Sequence, residues 1–140
     1  MRMLVRGAKP GRAFLGGQGL DVLTHSTDRT VKYRRILSNS GKFQRGTQEW
    51  ALDNWVKESG GDPEALRLVL ETFVHTPLEA LGQITVPTLV IAGEEDKERA
   101  SGDKLAAAIP NGRYVSVPGN HMTAFPGFVS VVADFIASPR

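Results

Sequence analysis

The chain has 140 residues, 41% hydrophobic and 23% charged, which is enough for one globular domain with a modest core and too apolar for a disordered segment. It has no cysteine, which excludes disulfides and thiolate chemistry, and no apolar run near the ~20 residues that a membrane helix needs. The net charge of +2 divides into +8 over residues 1–45 and −6 over residues 46–140, but the basic residues are scattered without interleaved aromatic side chains, which argues against a nucleic-acid partner.

The first residues predict the end of a helix and then a strand. Arg2 and Arg6 interrupt any hydrophobic stretch, so no signal peptide is expected, and with the lack of cysteine this favours a cytoplasmic protein. Residues 2–8 are typical of a helix tail that stops at Gly7. Residues 12–16 contain a short apolar run before a pair of glycines, which predicts a buried strand.

Residues 24–83 predict helices only. Two short amphipathic helices are indicated by scattered apolar residues, and a third is better marked because Asp62 is a good N-cap before Pro63. Thr76 and Glu79 have the spacing of a capping box for one more short helix. The apolar residues of the first three helices are, in order, Val31, Tyr33, Ile36 and Leu37, then Trp50, Leu52, Trp55 and Val56, then Leu66, Val69, Leu70 and Phe73.

From residue 84 onward strands and helices alternate. The β-rich runs 88–92 and 113–117 predict strands, and residues 98–108 between them, with Ala100, predict a helix. A last amphipathic helix is indicated by Phe128, Val131, Val132 and Phe135. This alternation predicts an α/β fold with a parallel sheet, in which residues 12–16 supply a third strand.

Polar side chains follow two of the predicted strands. Asp96 comes after strand 88–92 and His121 after strand 113–117, and catalytic groups gather at the carboxyl ends of parallel strands. A carboxylate that holds an imidazole by a hydrogen bond is the orienting half of a nucleophile–base–acid triad. Two alternatives stay open: Glu95 in place of Asp96 if the turn is offset by one residue, and an ordinary acidic turn beside an ordinary loop histidine.

The same two segments carry a family resemblance. Residues 84–96 (ITVPTLVIAGEED) look like the penultimate strand and acid turn of α/β-hydrolases, and residues 117–121 (VPGNH) resemble the last strand's histidine loop. The resemblance implies that Asp96 is the triad acid and His121 the general base. It also implies a partial α/β-hydrolase fold, with residues 1–23 and 84–140 as the C-terminal part of the core and residues 24–83 as a helical cap insertion. No cofactor and no metal are implied, and the three histidines are too scattered for a zinc site.

The nucleophile of the family is missing from these residues. In α/β-hydrolases it lies in G-x-S-x-G, before the acid and the histidine, and no serine of this chain lies in that pattern: Ser26, Ser38, Ser40, Ser59, Ser101, Ser116, Ser130, Ser138. Residues 1–8 resemble the end of the helix that the nucleophile turn begins, so the resemblance implies an elbow before Met1.

The resemblance implies a hydrolase of an ester or related carbonyl compound, a small-molecule substrate, with its serine outside residues 1–140. The alternatives are a truncated or pseudo-enzyme that acts as a non-catalytic binding partner, or a fold relative with perhydrolase, carbon–carbon hydrolase or acyltransferase chemistry. The expected macromolecular partners are an N-terminal half or a second copy at an exposed sheet edge, with no nucleic acid and no membrane.

Overall fold

The computed structural model describes residues 1–24, 26–72, 75–96 and 101–139, with no side-chain description for residues 26 and 27. Three strands, β1 (Ala13–Gly16), β2 (Thr88–Gly93) and β3 (Gly112–Val117), form one parallel sheet in the order β1-β2-β3. The predicted three-stranded parallel sheet is therefore confirmed. Phe73 and Ala100, on which parts of the sequence predictions rest, and His25, one of the three histidines, lie outside the described residues.

The central strand is buried along its whole length. Every residue of β2 is buried because both faces of the sheet are covered, which is why its sequence is a continuous apolar run and not an alternating one. On one face Leu15 and Val90 pack with Leu81 and Leu105. On the other face Leu89 and Ile91 pack against the apolar side of the last helix.

The described residues contain eight α-helices. They are α1 (Arg2–Val5), α2 (Leu20–Thr24), α3 (Ser26–Ser38), α4 (Gln48–Glu58), α5 (Pro63–Leu70), α6 (Leu78–Leu81), α7 (Gly102–Ala107) and α8 (Phe125–Ala137). The helix after Asp62 begins as predicted, because the Asp62 carboxylate accepts hydrogen bonds from the amides of Glu64 (2.8 Å) and Ala65 (3.3 Å). No helix among these residues is long and apolar enough to cross a membrane.

The chain divides into two compact units. One consists of residues 1–24 and 76–140 and contains the sheet, and the other is His25–His75. In the second unit α3 contacts both α4 and α5. Its one buried carboxylate among the described residues, Asp53, accepts hydrogen bonds from Ser40 Oγ, from the Gly41 amide (2.8 Å) and from Lys57 Nζ (2.7 Å). These contacts tie the loop after α3 to α4.

Two sequence predictions are wrong in detail. The capping box at Thr76 does not form, because the N-cap of α6 is Pro77 and no side chain caps this four-residue helix. Strand β1 is buried only in part: Leu15 is covered, whereas the Phe14 side chain is 52% exposed. The reason is that β1 is the edge strand of the described sheet, so no further strand beyond it contributes side chains that would cover Phe14.

Candidate active site

The turn after β2 is attached to the end of β3. The Glu94 amide donates to the carbonyl of Val117 (2.9 Å), the Glu95 amide donates to the carbonyl of Gly119 (3.0 Å), and the Asp96 amide closes the turn on Gly93 (3.1 Å). The position of Asp96 is therefore fixed by backbone hydrogen bonds to the segment that leads to His121.

Close approach of Gly93 and Gly119 makes this attachment possible. A Cβ atom at Gly93 would overlap the backbone carbonyl of Gly119, which cannot move aside as a side chain can. Gly119 itself has a φ of +107°, in the left-handed region that side chains disfavour. The two glycines thus allow the acid turn and the histidine loop to pack directly on one another.

His121 lies in a tight turn that leads into α8. The Asn120 side chain accepts hydrogen bonds from the amides of Met122 (3.0 Å) and Thr123 (3.2 Å), while Thr123 Oγ1 accepts one from the Asn120 amide (2.9 Å). This reciprocal pairing holds the backbone on both sides of the histidine. The sequence prediction gave Asn120 and Thr123 no role, although an Asn followed three residues later by Thr before a helix is a signal for such a turn.

The side chains of Asp96 and His121 are in hydrogen-bond contact, as expected from their positions after neighbouring strands. His121 Nδ1 lies 2.8 Å from Asp96 Oδ2. The carboxylate is only 2% exposed, whereas the imidazole is 48% exposed. Because an ionised carboxylate can only accept, Nδ1 is the nitrogen that carries a proton in this contact, and whenever the ring is neutral Nε2 is then the unprotonated nitrogen. Within the part of the chain that is described, no group hydrogen-bonds to Nε2.

The imidazole ring also lies against the carboxyl end of β1. A Cβ atom at Gly17 would come within 3.0 Å of His121 Cε1 and 3.3 Å of Nδ1, and Gly17 has a φ of +60°. The Gly17 amide donates to the carbonyl of Ile91 (2.8 Å), so the glycine is held against β2. Because Gly17 has no side chain, it leaves room for the His121 ring. The only indication of this in the sequence is the pair of glycines that follows the strand.

A cavity of about 330 Å³ lies beside the pair. It extends along the face of the sheet that packs on α8, where the rings of Phe125 and Phe128 lie with their centroids 6.1 Å apart. Its walls are mostly apolar, and its lining residues are Phe14, Gly16, Gly17, Gly93, Asp96, His121, Ala124, Phe125 and Phe128.

Negative charge near the site also acts on Tyr114 of β3. Burial raises the pKa of the Tyr114 hydroxyl, and the carboxylates of Asp103, Asp96 and Glu94 raise it further because they disfavour a second negative charge. Tyr114 therefore stays a neutral phenol at physiological pH.

The other residues considered from the sequence do not join this pair. Glu95 is exposed, and only its backbone takes part in the described hydrogen bonds. His75 is exposed, and Trp50 and Trp55 belong to the helical unit, where Arg45 lies over the Trp50 ring. Among the described residues no serine donates to His121, and no cluster of three or more His, Cys, Asp or Glu residues could hold a metal ion.

The three-stranded parallel sheet with its flanking helices matches part of the α/β-hydrolase fold in solved structures. MenH from S. aureus matches with a TM-score of 0.69 at 17% identity, over 96% of this chain and 62% of that one. MGS-M2, an α/β hydrolase from a deep-sea metagenome library of the Medee basin, matches with a TM-score of 0.64 at 18% identity, over 99% and 61%. The enol-lactonase from Burkholderia xenovorans LB400 matches with a TM-score of 0.59 at 20% identity, over 97% and 60%.

The chain thus has part of the α/β-hydrolase fold and spans about three fifths of the length of these structures. No family model matches the sequence, and no curated protein matches it.

Proposed function

We propose that this chain carries the general base and the orienting acid of an α/β-hydrolase-type active site. The observation that supports the proposal is the 2.8 Å contact between His121 Nδ1 and the buried Asp96 carboxylate at the carboxyl ends of β3 and β2. Buried carboxylates are rare unless they are paired, and this one is paired with a half-exposed imidazole whose second nitrogen has no partner among the described residues.

The proposed chemistry assigns one task to each side chain. His121 Nε2 takes the proton of a serine hydroxyl as its oxygen attacks the carbonyl carbon of the substrate. Asp96 keeps the proton on Nδ1, so that Nε2 is the basic nitrogen, and stabilises the imidazolium that forms. The imidazolium then protonates the leaving alkoxide, and in the second half of the cycle His121 activates the water that releases the acid from the acyl-serine.

The serine is proposed to lie outside residues 1–140, in a G-x-S-x-G segment. About two fifths of each solved neighbour has no counterpart in this chain, and no serine of this chain lies in such a pattern. The substrate class is an ester or a related carbonyl compound, in keeping with neighbours that include an α/β hydrolase and an enol-lactonase. Residues 24–83 are proposed to be the helical cap that selects the acyl group.

The test begins with the coding sequence upstream of the Met1 codon. If it encodes G-x-S-x-G in frame, the extended polypeptide is expected to release a burst of nitrophenolate from a short-chain nitrophenyl ester. His121→Ala should abolish that burst, and Asp96→Asn should slow acylation on the order of 10⁴-fold because the wrong tautomer is then held. Glu95→Gln is the matched control and should act as the unsubstituted protein does.

Two outcomes would contradict the hydrolase proposal. One is a burst that survives His121→Ala, which would mean that another group is the base. The other is an upstream region without a G-x-S-x-G codon pattern, which would favour the alternative that the chain is a truncated or pseudo-enzyme and serves as a non-catalytic binding partner. This alternative is supported by one observation: no serine of residues 1–140 lies in a G-x-S-x-G pattern.

A further inference from the structure

A second cavity lies within the helical unit, where α3 meets the first turn of α4. Its volume is about 320 Å³, close to that of the cavity beside His121. All of its lining residues belong to the helical unit, and they are Asp28, Val31, Lys32, Arg35, Ile36 and Glu49. The first five have the three- and four-residue spacing that places side chains on one face of a helix. α3 thus supplies one wall of the cavity, and Glu49 of α4 supplies the other.

The apolar part of this cavity consists of two aliphatic side chains. Ile36 is only 1% exposed, so it lies at the inner side of the cavity, against the core of the helical unit. Val31 is 60% exposed and lies at the rim. A ligand that places an aliphatic group here would remove apolar surface from water, which favours binding.

Four charged side chains surround these aliphatic groups, two of each sign. Lys32 and Arg35 are cationic, and Asp28 and Glu49 are anionic, so the formal charges of the lining cancel. In the part of the chain that the structure describes, none of the four side chains makes a hydrogen bond or an ion pair. All four charges are therefore available to a ligand.

The lack of pairing at this cavity differs from the rest of the helical unit. In α4, Asp53 and Lys57 are four residues apart and in contact at 2.7 Å, and α5 has two more ion pairs at three- and four-residue spacing. Asp28 and Lys32 have the same spacing and the same order, acid before base, which favours pairing on a helix. They nevertheless make no ion pair, and both side chains line the cavity instead.

We propose that this cavity binds a small zwitterion, an α-amino acid with an aliphatic side chain. The carboxylate of the ligand accepts hydrogen bonds from Lys32 and Arg35, and its ammonium group donates to Asp28 and Glu49, as charge-assisted hydrogen bonds. Its side chain packs on Ile36. At ~30 Å³ per water molecule the cavity holds roughly ten waters, about the number of non-hydrogen atoms in leucine.

The balance of charges disfavours ligands of a single sign. A phosphate or a simple carboxylic acid would be attracted by Lys32 and Arg35 but repelled by the two carboxylates of the lining. An amine without a carboxylate would meet the opposite conflict. Only a ligand that carries both charges can pair with all four side chains. The proposed roles of His121 and Asp96 play no part in this argument, so the inference does not rest on the proposed function.

NMR titration of the intact 140-residue chain tests the proposal, with L-leucine as the probe. Amide and methyl resonances of residues 31–36 and the amide of Glu49 should shift and saturate, with a Kd on the order of millimolar because the charged groups are open to solvent. Isocaproate, which is leucine without its amino group, and isoamylamine, which is leucine without its carboxylate, should each bind on the order of tenfold more weakly or worse.

Substitutions that keep the size of the side chain locate the site. Arg35→Gln and Glu49→Gln should each weaken the binding of L-leucine on the order of tenfold, because each leaves one charge of the ligand with a single partner. Arg34→Gln is the matched control: it removes the same charge from the neighbouring exposed position of α3, which does not line the cavity, and should leave the Kd unchanged. Circular dichroism checks that each variant is folded.

Three results would overturn the proposal. The absence of saturable shifts at up to about 50 mM L-leucine would mean that the cavity is not a site for an aliphatic amino acid. Binding of isocaproate or isoamylamine as tight as that of leucine would mean that one charge alone is recognised. Equal weakening by Arg34→Gln would mean that the general charge of α3, and not the cavity, attracts the ligand. None of these readouts involves ester hydrolysis, so they are independent of the test of the proposed function.

Discussion

Asp96 and His121 differ in exposure in a way that suits a base and its orienting acid. The carboxylate has lost nearly all contact with water, so its hydrogen bond to Nδ1 lies in surroundings of low dielectric constant, where such bonds are strong. The imidazole is half-exposed, as a base that must meet a substrate and a nucleophile requires. The contact between the two side chains was predictable from sequence, because each residue follows a β-rich run at an interval that allows one crossover helix.

Asp53 in the helical unit gives a prediction for pH. Its burial raises the pKa of the carboxyl group, but hydrogen bonds from Lys57, Ser40 and the Gly41 amide, together with the charge of Lys57, outweigh burial and lower the pKa. A lowered pKa in the folded state stabilises the fold above the unfolded pKa, near 3.9, and this contribution is lost as the pH falls through the folded value.

Asp53→Asn should therefore lower the free energy of unfolding at pH 6 by about 1–3 kcal/mol, the cost of disrupting a buried hydrogen-bonded carboxylate. The difference between the two proteins should shrink as the pH falls below about 4. Urea unfolding monitored by circular dichroism at several pH values measures it. Asp134→Asn, an exposed carboxylate on α8, is the control, and a difference for Asp53→Asn that grows toward low pH would contradict the assignment.

At the scale of elements, the site depends on direct packing of the turn after β2 against the loop after β3. Gly93→Ala places a methyl group where the carbonyl of Gly119 lies, so the histidine loop must shift. We expect a loss of about 1–3 kcal/mol in the free energy of unfolding, as for overpacked positions. We also expect loss of the His121–Asp96 contact, seen as a change in the ring resonances of His121.

Gly82→Ala is the matched control for that substitution. Gly82 has an ordinary φ of −64°, and a Cβ atom there would lie 3.4 Å from the carbonyl of Glu79, a normal contact. It should change the free energy of unfolding by less than about 0.5 kcal/mol. Equal stability and equal His121 resonances in both variants would mean that the close approach of Gly93 and Gly119 is not needed for the site.

The sequence predicted the strands better than the helices between them. β2 and the last helix α8 have strong local signals, a continuous β-rich run and a regular apolar face, and both formed as predicted. α3 was expected to be short because its apolar residues are few and irregularly spaced, yet it runs from Ser26 to Ser38 and packs on α5. Its length depends on contacts with a helix some thirty residues later, which no local pattern reveals.

The exposure of Phe14 followed from the resemblance, which implied an exposed sheet edge at residues 13–15, and could not be predicted from the local pattern. An apolar run between glycines is equally consistent with a central strand and with an edge strand, and only the sheet order distinguishes them. The failed capping box at Thr76 is similar, because the fixed φ of Pro77 starts α6 one residue later than the spacing of Thr76 and Glu79 suggested.

At the scale of the whole molecule, the proposed base and the proposed nucleophile lie in different segments of polypeptide. Residues 1–140 alone should hydrolyse short-chain nitrophenyl esters no faster than the His121→Ala variant, because the proposed base is then without the proposed G-x-S-x-G serine. Stopped-flow measurement of nitrophenolate release compares the two. A burst of acyl-enzyme that depends on His121 would mean that one of the serines of this chain is a nucleophile and that the proposed division is wrong.

The pairing of Asp96 with His121 is the central claim, and proton and nitrogen NMR of the His121 ring tests it most directly. In the neutral ring, Nδ1 should carry a hydrogen-bonded proton shifted far downfield and Nε2 should be unprotonated. Asp96→Ala should remove that downfield proton, and Glu95→Ala, one residue away and exposed, should leave it in place. A ring protonated mainly on Nε2, or a downfield proton lost in Glu95→Ala and kept in Asp96→Ala, would contradict the assignment of Asp96 as the residue that orients His121.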